Sequence, residues 1–253
     1  MLWLRNLIYW LGLIALTPFF FVFLLLGFFF GRQAPHKVAT SWALFLVWML
    51  EHIVGLKYRV EGTENIPNQP SIICAKHQSG WETLALQAIF PPQVFVAKRE
   101  LFKIPFFGWG LKLIRAIGID RSNPTAASQQ IIDQGYERKK DGLWITIFPE
   151  GTRIKPGQRG RYKQGAARMA KLLNMDLVPV ALNSGEFWPK NAFLKYPGTI
   201  TVVIGPPIAH DSGEADALMQ QCETWIEGQQ ARINGAGPFA ARPSAPANEH
   251  EAA

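Results

Sequence analysis

The sequence predicts an α/β fold, in which a mainly parallel sheet is flanked by helices and preceded by an N-terminal hydrophobic membrane-anchoring helix or helix pair. Three observations support this prediction. Between residues 55 and 233, short β-branched runs alternate with longer helical stretches. Residues 7–30 carry no charged side chain, and residues 234–253 are rich in Ala, Gly and Pro without apolar periodicity. We therefore expect an anchor over residues 1–54, one domain over 55–233 and a disordered tail over 234–253.

The first part of the anchor is long enough to cross a bilayer. The run from Leu7 to Phe30 exceeds the roughly 20 apolar residues required, and Arg5 and Arg32 flank it. Because it is longer than the apolar core of a secretory signal and no small-residue cleavage pattern follows, we expect it to be retained. The second apolar stretch, Val38 to Leu50, is too short to span alone and is typical of an interfacial or re-entrant segment. Spanning and one-leaflet insertion both fit this pair.

The strands of the domain are predicted from short β-branched runs. These are Tyr58–Val60, Ile72–Ala75, Val94–Ala97, Trp144–Phe148, Val178–Leu182 and Thr201–Ile204. The longer stretches between and after them predict the helices Glu82–Ile89, Pro105–Ile114, Ala126–Lys140, Gly165–Leu173 and Ala215–Gln230. Polar residues directly follow three strands, at residues 76–77, 98–99 and 150–153. Because the carboxyl ends of parallel strands line the ligand crevice, we expect these residues to meet at one edge of the sheet.

Composition narrows the classes of function. The chain has 26 Lys and Arg against 19 Asp and Glu, a net charge of +7, which favours an anionic partner such as phosphate or a lipid headgroup. Cys74 and Cys222 lack metal or redox spacing, so neither a disulfide framework nor a zinc site is indicated and a reducing, cytoplasmic setting fits best. The anchor and the absence of a reader motif argue against nucleic-acid binding, and no G-x-S-x-G elbow supports a hydrolase.

The segment from Lys76 to Thr83 contains a candidate catalytic pair. His77 precedes Glu82 by five residues, which on one helix would separate them by about 140°. Contact therefore requires His77 in the strand-to-helix turn and Glu82 in the first turn of the helix. Imidazole can remove a proton from an alcohol near neutral pH, and a carboxylate on its other nitrogen fixes the tautomer. Alternatively, Ser79 and Glu82 form a capping box and Glu82 is structural.

The segment Phe148-Pro-Glu-Gly-Thr-Arg153 introduces a basic tract. From Arg153 to Lys171 there are seven positive residues and no acidic one. Arg153 can bind a phosphate through its planar fork, and backbone N–H groups beside Gly151 add donors. Glu150 either holds Arg153 in place or contacts a glycerol hydroxyl. The alternative is a simple turn with a solvated basic face.

A third polar element follows the strand that ends near residue 97. Lys98 and Arg99 can bind phosphate, while the apolar stretch through Gly108 can border an acyl tail. Equally, residues 104–109 can be core or membrane-facing surface.

Taken together, these segments resemble the lysophosphatidic acid acyltransferase family, also called the 1-acyl-glycerol-3-phosphate acyltransferases. His77 and Glu82 match its histidine-X4-acidic motif, with Glu where Asp is commoner. Lys98-Arg-Glu-Leu101 with Pro105 and Gly108 is similar to the second motif, Phe148-Pro-Glu-Gly-Thr-Arg153 matches the third, and Val178-Pro-Val-Ala-Leu182 is similar to the fourth. The likeness covers roughly residues 55 to 210, and the motifs keep the family's order.

The resemblance implies transfer of a fatty acyl group from acyl-CoA or acyl-carrier protein to the 2-hydroxyl of 1-acyl-glycerol-3-phosphate (lysophosphatidic acid), giving phosphatidic acid. It implies catalysis by His77 and Glu82 and a membrane location with the catalytic domain on the cytoplasmic side, without a metal or bound cofactor. The substrate contacts that it implies are Lys98, Arg99, Glu150, Gly151, Thr152 and Arg153. Two alternatives remain open: an acyltransferase for another lysolipid or glycerol-3-phosphate, and a non-catalytic membrane lipid-binding protein.

Overall fold

The computed structural model describes residues 1–120 and 124–241. Its sheet has the strand order β1-β7-β6-β2-β5-β3-β4. The strands are β1 Leu56–Glu61, β2 Ile72–Ala75, β3 Gln93–Lys98, β4 Ile117–Ile119, β5 Trp144–Ile147, β6 Leu177–Leu182 and β7 Gly198–Ile204. The helices are α1 Leu2–Gly27, α2 Ala34–Met49, α3 Glu82–Ile89, α4 Phe107–Leu113, α5 Pro124–Lys140, α6 Gly165–Leu173 and α7 Ala215–Ile233. The predicted fold class is confirmed.

Two features of the sheet differ from the sequence prediction. β6 and β7 pair antiparallel, because the chain between them contains no crossover helix to return it to the other end of the sheet. β4, which pairs parallel with β3, was not predicted. Its three residues, Ile117-Gly-Ile119, are too few to show a strand pattern.

The central strands are buried on both faces. In β2, Ile73 and Ala75 belong to one apolar cluster, which includes residues of the N-terminal helices and α3. The alternate residues Ile72 and Cys74 belong to a second cluster with α6 and α7. Successive side chains of a strand point to opposite faces, so a strand covered on both sides is apolar throughout. The continuous run Ile72–Ala75 has this composition.

The two N-terminal helices are long and apolar enough to cross a membrane. The candidate spans are Leu2–Phe30 and Ala34–Val54. The second is longer than the predicted Val38–Leu50 because α2 begins at Ala34 and a π-helical turn, Leu50–Val54, continues it through charged residues. β1 begins at Leu56, directly after this turn.

Helix α1 lies along the domain rather than projecting from it. Near its start, the ring of Trp3 stacks on that of Phe193 with centroids 5.2 Å apart. About three-quarters of the way along, Phe21 contacts Phe106, with centroids 5.8 Å apart. The first third of the helix contributes the fully buried Tyr9 to the main core. Both halves of α1 therefore contact the domain that carries the site.

The start of the expected tail, residues 234–241, is held against the domain. The buried carboxylate of Glu186 accepts backbone N–H bonds from Gly235, Ala236 and Gly237 at 2.8–2.9 Å. A side chain on Gly237 would collide with Glu186, since an added Cβ would lie 2.6 Å from the Cβ of Glu186. Because the attachment uses backbone groups, apolar periodicity does not reveal it. The rest of the expected tail, residues 242–253, lies outside the described residues.

Candidate active site

Three polar turns meet at the carboxyl edge of the sheet, in the order that the topology dictates. β2 lies between β6 and β5, and β3 follows β5. The turn after β2, which carries His77, therefore lies between the turn after β6 (residues 183–186) and the turn after β5 (residues 148–153). β3 is parallel to β5, so residues 98–99 lie at the same edge as residues 76–77 and 150–153, which agrees with the sequence prediction.

His77 and Glu82 are in contact. The Nδ1 atom of His77 lies 2.8 Å from Oε1 of Glu82, the first residue of α3. The same oxygen accepts the backbone N–H groups of Gln78 and Ser79, both at 2.7 Å, and Oε2 accepts the hydroxyl of Ser184 at 2.7 Å. Glu82 is thus both the partner of the histidine and an acceptor for the backbone of the turn. The predicted capping box is not formed, because Trp81 and not Ser79 is the N-cap of α3 and no side chain caps it.

The environment of Glu82 favours its ionised form. Burial alone would raise the pKa of this carboxyl, but the hydrogen bonds from His77, Ser79 and Ser184 lower it below its usual value. A carboxylate at Nδ1 holds a proton there and leaves Nε2 unprotonated. The longer reach of Glu compared with Asp closes this contact at 2.8 Å. His77 can therefore act as a general base through Nε2.

An aromatic stack orients the imidazole ring. Phe148 lies nearly parallel to the His77 ring, with centroids 4.0 Å apart and planes at 15°. Phe95 also stacks on Phe148, with centroids 6.0 Å apart and planes at 12°. The sequence placed Phe148 at a strand end and at the start of the third motif, but did not predict its stacking on His77.

Glu150 does not hold Arg153, as one interpretation of the sequence proposed. Its buried carboxylate accepts the backbone N–H of His77 at 2.9 Å through Oε2, and Oε1 lies 3.0 Å from the Nζ of Lys76. The tight turn after β5, with Gly151 at φ +68°, directs Glu150 inward. Burial raises the pKa of Glu150 to about 7, although Lys76 opposes this change. Glu150 therefore supports the backbone of His77.

A buried ionic cluster continues behind Glu150. Lys76, whose side chain is 1% exposed, lies 2.7 Å from Oε1 of Glu227 on α7. The hydroxyl of Tyr162 donates to the same oxygen at 2.7 Å. Sequence reasoning missed Glu227 because it lies far along the chain from His77, on a helix with no distinguishing motif. The predicted polar residue Lys76 thus balances the buried carboxylate of Glu150 and the half-buried carboxylate of Glu227.

We expect Lys76→Met to destabilise the fold by about 3–5 kcal/mol, because it leaves the buried carboxylate of Glu150 without its cation. Thermal unfolding in detergent, followed by tryptophan fluorescence, measures the change. Lys155→Met is the matched control, since Lys155 is exposed. Equal unfolding temperatures for the two variants would contradict this account of the cluster.

Arg153 lies above the turn that carries His77. A Cβ added to Gly80 would lie 3.6 Å from Nη2 of Arg153 and 3.5 Å from the ring of Trp188, so both side chains flank Gly80. Arg153 is half-buried and presents a guanidinium within this region. The placement suits an anionic group bound beside the histidine.

Two further cations approach residues 151 and 152 of the same turn. Lys190 donates to the hydroxyl of the exposed Thr152 at 3.2 Å. A Cβ added to Gly151 would lie 3.0 Å from the Nζ of Lys163. Sequence reasoning included Lys163 in the basic tract but missed Lys190, which lies in the long β6–β7 connection. These cations raise the positive charge near Arg153.

Lys98 and Arg99 are exposed at the end of β3 and the start of the turn that follows it. They lie at the same edge of the sheet as His77, as predicted. Across residues 1–120 and 124–241, no side-chain hydrogen bond or ion pair joins them to Glu150 or Arg153. The structure brings the predicted residues to one edge but does not join them all.

An apolar cavity of about 70 Å³ lies next to this edge, between α1, α2 and α4. Phe106 and Phe107 line it from the segment after Arg99, together with Phe20 and Trp42 from the N-terminal helices. Ile104 and Trp109 are exposed. Part of the apolar stretch between residues 104 and 109 is thus cavity lining and part is surface.

This fold, with a histidine–carboxylate pair beside a cationic turn, is that of an acyltransferase: a family model described as "Acyltransferase" matches residues 57–183. A 1-acyl-sn-glycerol-3-phosphate acyltransferase from Pseudomonas aeruginosa is 42% identical over 91% of this chain and 92% of its own length. The chain therefore belongs to the 1-acyl-sn-glycerol-3-phosphate acyltransferase family, which confirms the family resemblance of its motifs.

Two further comparisons agree with this assignment. The 1-acyl-sn-glycerol-3-phosphate acyltransferase LPAT1, chloroplastic, from Arabidopsis thaliana is 29% identical over 78% of this chain and 54% of its own length. The crystal structure of the 1-acyl-sn-glycerophosphate (LPA) acyltransferase PlsC from Thermotoga maritima superposes with a TM-score of 0.78. That comparison covers 91% of this chain and 95% of the other, at 22% identity, so it supports the fold.

Proposed function

We propose that this acyltransferase moves a fatty acyl group from the thioester of acyl-CoA or acyl-carrier protein to the 2-hydroxyl of 1-acyl-glycerol-3-phosphate, giving phosphatidic acid. The observation that carries the proposal is the contact between His77 and Glu82, 2.8 Å apart, next to the cationic turn of Arg153. The names of the relatives support the acceptor.

In the proposed mechanism, the acceptor phosphate binds Arg153 and Arg99. The Nε2 atom of His77 takes the proton of the 2-hydroxyl as its oxygen attacks the thioester carbonyl. Glu82 stabilises the resulting imidazolium. When the tetrahedral intermediate collapses, the carbon–sulfur bond breaks and the imidazolium returns the proton to the departing thiolate. The chain's own side chains account for each proton transfer.

The oxyanion of the tetrahedral intermediate needs a hydrogen-bond donor. Three N–H groups near the start of α3 already have acceptors: Gln78 and Ser79 donate to Glu82, and Trp81 donates to the Ser79 hydroxyl at 3.0 Å. Lys98 is an exposed cation at the same edge of the sheet, and we assign this role to it.

We further propose that α1 and α2 lie in one leaflet, with the catalytic domain on the cytoplasmic side. Both halves of α1 contact the domain, at Phe193 and at Phe106, so a perpendicular crossing would draw the domain into the bilayer. The outer face of the helix exposes apolar side chains such as Phe19 and Phe23. The free thiols Cys74 and Cys222 fit a reducing compartment.

We expect Arg153→Ala to raise the KM for lysophosphatidic acid by about 10- to 100-fold, because a charge-assisted contact to phosphate is lost. The effect on kcat should be smaller. Initial rates at varied acceptor concentration separate the two parameters, and Arg161→Ala, an exposed arginine of the same basic tract, is the control. An unchanged KM would show that Arg153 does not bind the phosphate.

The proposed function is tested by incubating the purified full chain in detergent with a labelled acyl thioester and several acceptors. We expect phosphatidic acid from lysophosphatidic acid and little product from glycerol-3-phosphate or an aminolipid lacking one acyl chain. A preference for either of these acceptors would replace the proposed substrate. Binding of lysolipid without transfer from either donor would favour a non-catalytic lipid-binding protein.

A further inference from the structure

Lys195 is fully buried within a cage of aromatic rings. Its Nζ atom lies 3.7 Å from the ring centroid of Trp10, 4.5 Å from that of Trp188 and 4.7 Å from that of Tyr9. The ring centroid of Phe193 is 5.9 Å from Nζ. The backbone carbonyl of Phe193 accepts a hydrogen bond from Nζ at 3.0 Å. An ammonium group over several ring faces is a cation–π arrangement.

The charge of Lys195 has no anionic counterpart. Among the described residues, no carboxylate lies within ion-pair distance, and burial lowers the pKa of Lys195 to about 7. A buried cation without an anion usually costs stability compared with an apolar side chain of similar volume. Since an apolar residue would fill the same space at lower cost, stability does not account for the lysine.

The cage joins α1 to the catalytic domain. Tyr9 and Trp10 belong to α1, whereas Trp188, Phe193 and Lys195 belong to the β6–β7 connection. The side-chain amide of Asn6 bonds both backbone groups of Lys195, at 2.8 Å and 3.0 Å. The indole N–H of Trp10 donates to the carbonyl of Phe193 at 3.0 Å. The first half of α1 is therefore attached to residues 188–195 of the β6–β7 connection.

That segment also reaches the active site. The Trp188 ring flanks Gly80 next to Arg153. The backbone N–H of Trp188 donates to the carbonyl of Ser184 at 2.9 Å, and the hydroxyl of Ser184 bonds Glu82. The attachment of α1 and the support of the catalytic pair thus share the β6–β7 connection.

We propose that Lys195 is a positioning residue whose cation, held between rings of α1 and of the β6–β7 connection, fixes the orientation of α1 relative to the active site. An ammonium group attracts ring faces and constrains their directions, whereas an apolar side chain packs without such preference. Since α1 inserts in the bilayer, this orientation sets how the site meets lipid at the membrane surface. The inference rests on the proposed function.

The test compares Lys195→Met with Lys57→Met, which removes an exposed lysine from β1. Transfer is measured to lysophosphatidic acid in phosphatidylglycerol–phosphatidylethanolamine vesicles and in detergent micelles. For Lys195→Met we expect a loss of about 30-fold in vesicles, the size of a desolvated cation–π interaction, and a loss below about 2-fold in micelles. Equal activity in both systems would overturn the proposal.

The unfolding temperature of the Lys195→Met variant shows whether Lys195 positions α1 or only stabilises the fold. Between pH 7 and 10.5, Lys195 binds more protons in the unfolded than in the folded state, so its contribution to folding improves as pH rises. Lys195→Met should therefore unfold at a higher temperature than wild type at about pH 6, with the difference shrinking toward alkaline pH. A lowered unfolding temperature with equal losses in vesicles and micelles would mean that Lys195 is structural only.

The pH dependence of activity gives a further readout. Tyr9 is the other titratable group that faces Lys195 in the cage, and tyrosine ordinarily titrates near pH 10. The ratio of wild-type to Lys195→Met activity in vesicles should fall as pH rises above 7, because the cation is lost. A ratio that is constant from pH 6 to 9 would overturn the role of the charge.

A second pair of variants tests whether the aromatic ring of Trp10 is required. Trp10→Phe and Trp10→Leu both remove the indole N–H, but only Leu removes the aromatic face. We expect Trp10→Phe to retain several-fold more vesicle activity than Trp10→Leu. Equal losses would contradict the cation–π basis. Inactive wild type in both vesicles and micelles would instead refute the proposed function, so the two failures are distinguishable.

Discussion

Replacing His77 with Ala should lower kcat/KM for acyl transfer to lysophosphatidic acid by at least about 10²-fold, the usual cost of removing a general base. No other described imidazole lies at this edge to take its place, since His36, His52 and His210 belong to other regions of the structure. Transfer of a labelled acyl group by purified protein in detergent measures the loss, after circular dichroism has shown that the variant folds.

His210→Ala is a matched control for this experiment. His210 pairs with Asp176 at 2.8 Å, the same type of contact as that of His77 with Glu82. However, Asp176 directly precedes β6 and therefore lies at the amino end of the sheet. His210→Ala should keep activity near the wild-type level. Full activity in His77→Ala, or equal losses in both variants, would refute the role of His77 as the base.

Changing Glu82 to Gln should lower kcat by roughly 10²- to 10⁴-fold with a smaller change in KM, by analogy with loss of the carboxylate in hydrolase triads. Oε1 of Glu82 accepts three donors, and an amide cannot provide the same charge and four acceptor contacts. The imidazolium formed during transfer would lose its stabilising charge. Initial-rate kinetics in detergent measure both parameters.

Two related variants make this prediction specific. Ser184→Ala removes only the hydrogen bond to Oε2 of Glu82 and should cost less than about 10-fold. Glu82→Asp keeps the charge but shortens the side chain, whose position at the start of α3 is fixed. We therefore expect it to lose more activity than Ser184→Ala and less than Glu82→Gln. Activity of Glu82→Gln within about 3-fold of wild type would show that Glu82 serves only to hold the backbone of the turn.

The sequence predicted best those elements whose identity depends on local pattern. The bounds of β2, α3 and α6 agree with the prediction residue for residue. β2 is a short apolar run bounded by polar residues, and α6 has a pronounced apolar face. β4 was missed because a three-residue strand is stabilised by pairing with β3, which local pattern does not contain.

Local sequence pattern likewise predicted only part of the candidate site. The pair of His77 and Glu82 could be predicted because both lie in one turn. The partners that hold this turn, Ser184 and Glu227, come from the chain after β6 and from α7, and no local motif marks them. Glu150 was correctly placed at the edge, but the direction of its side chain depends on the buried cation of Lys76.

The contacts of residues 183–239 have a consequence for biosynthesis. Translation proceeds from the amino terminus, so α1 leaves the exit tunnel before Ser184, Lys195 and Glu227 exist. The contacts of Glu186 likewise form only after residues 235–237 have been made. The nascent chain can therefore engage the bilayer while its histidine still lacks its supports, and the enzyme acquires activity at the membrane where its lipid acceptor resides.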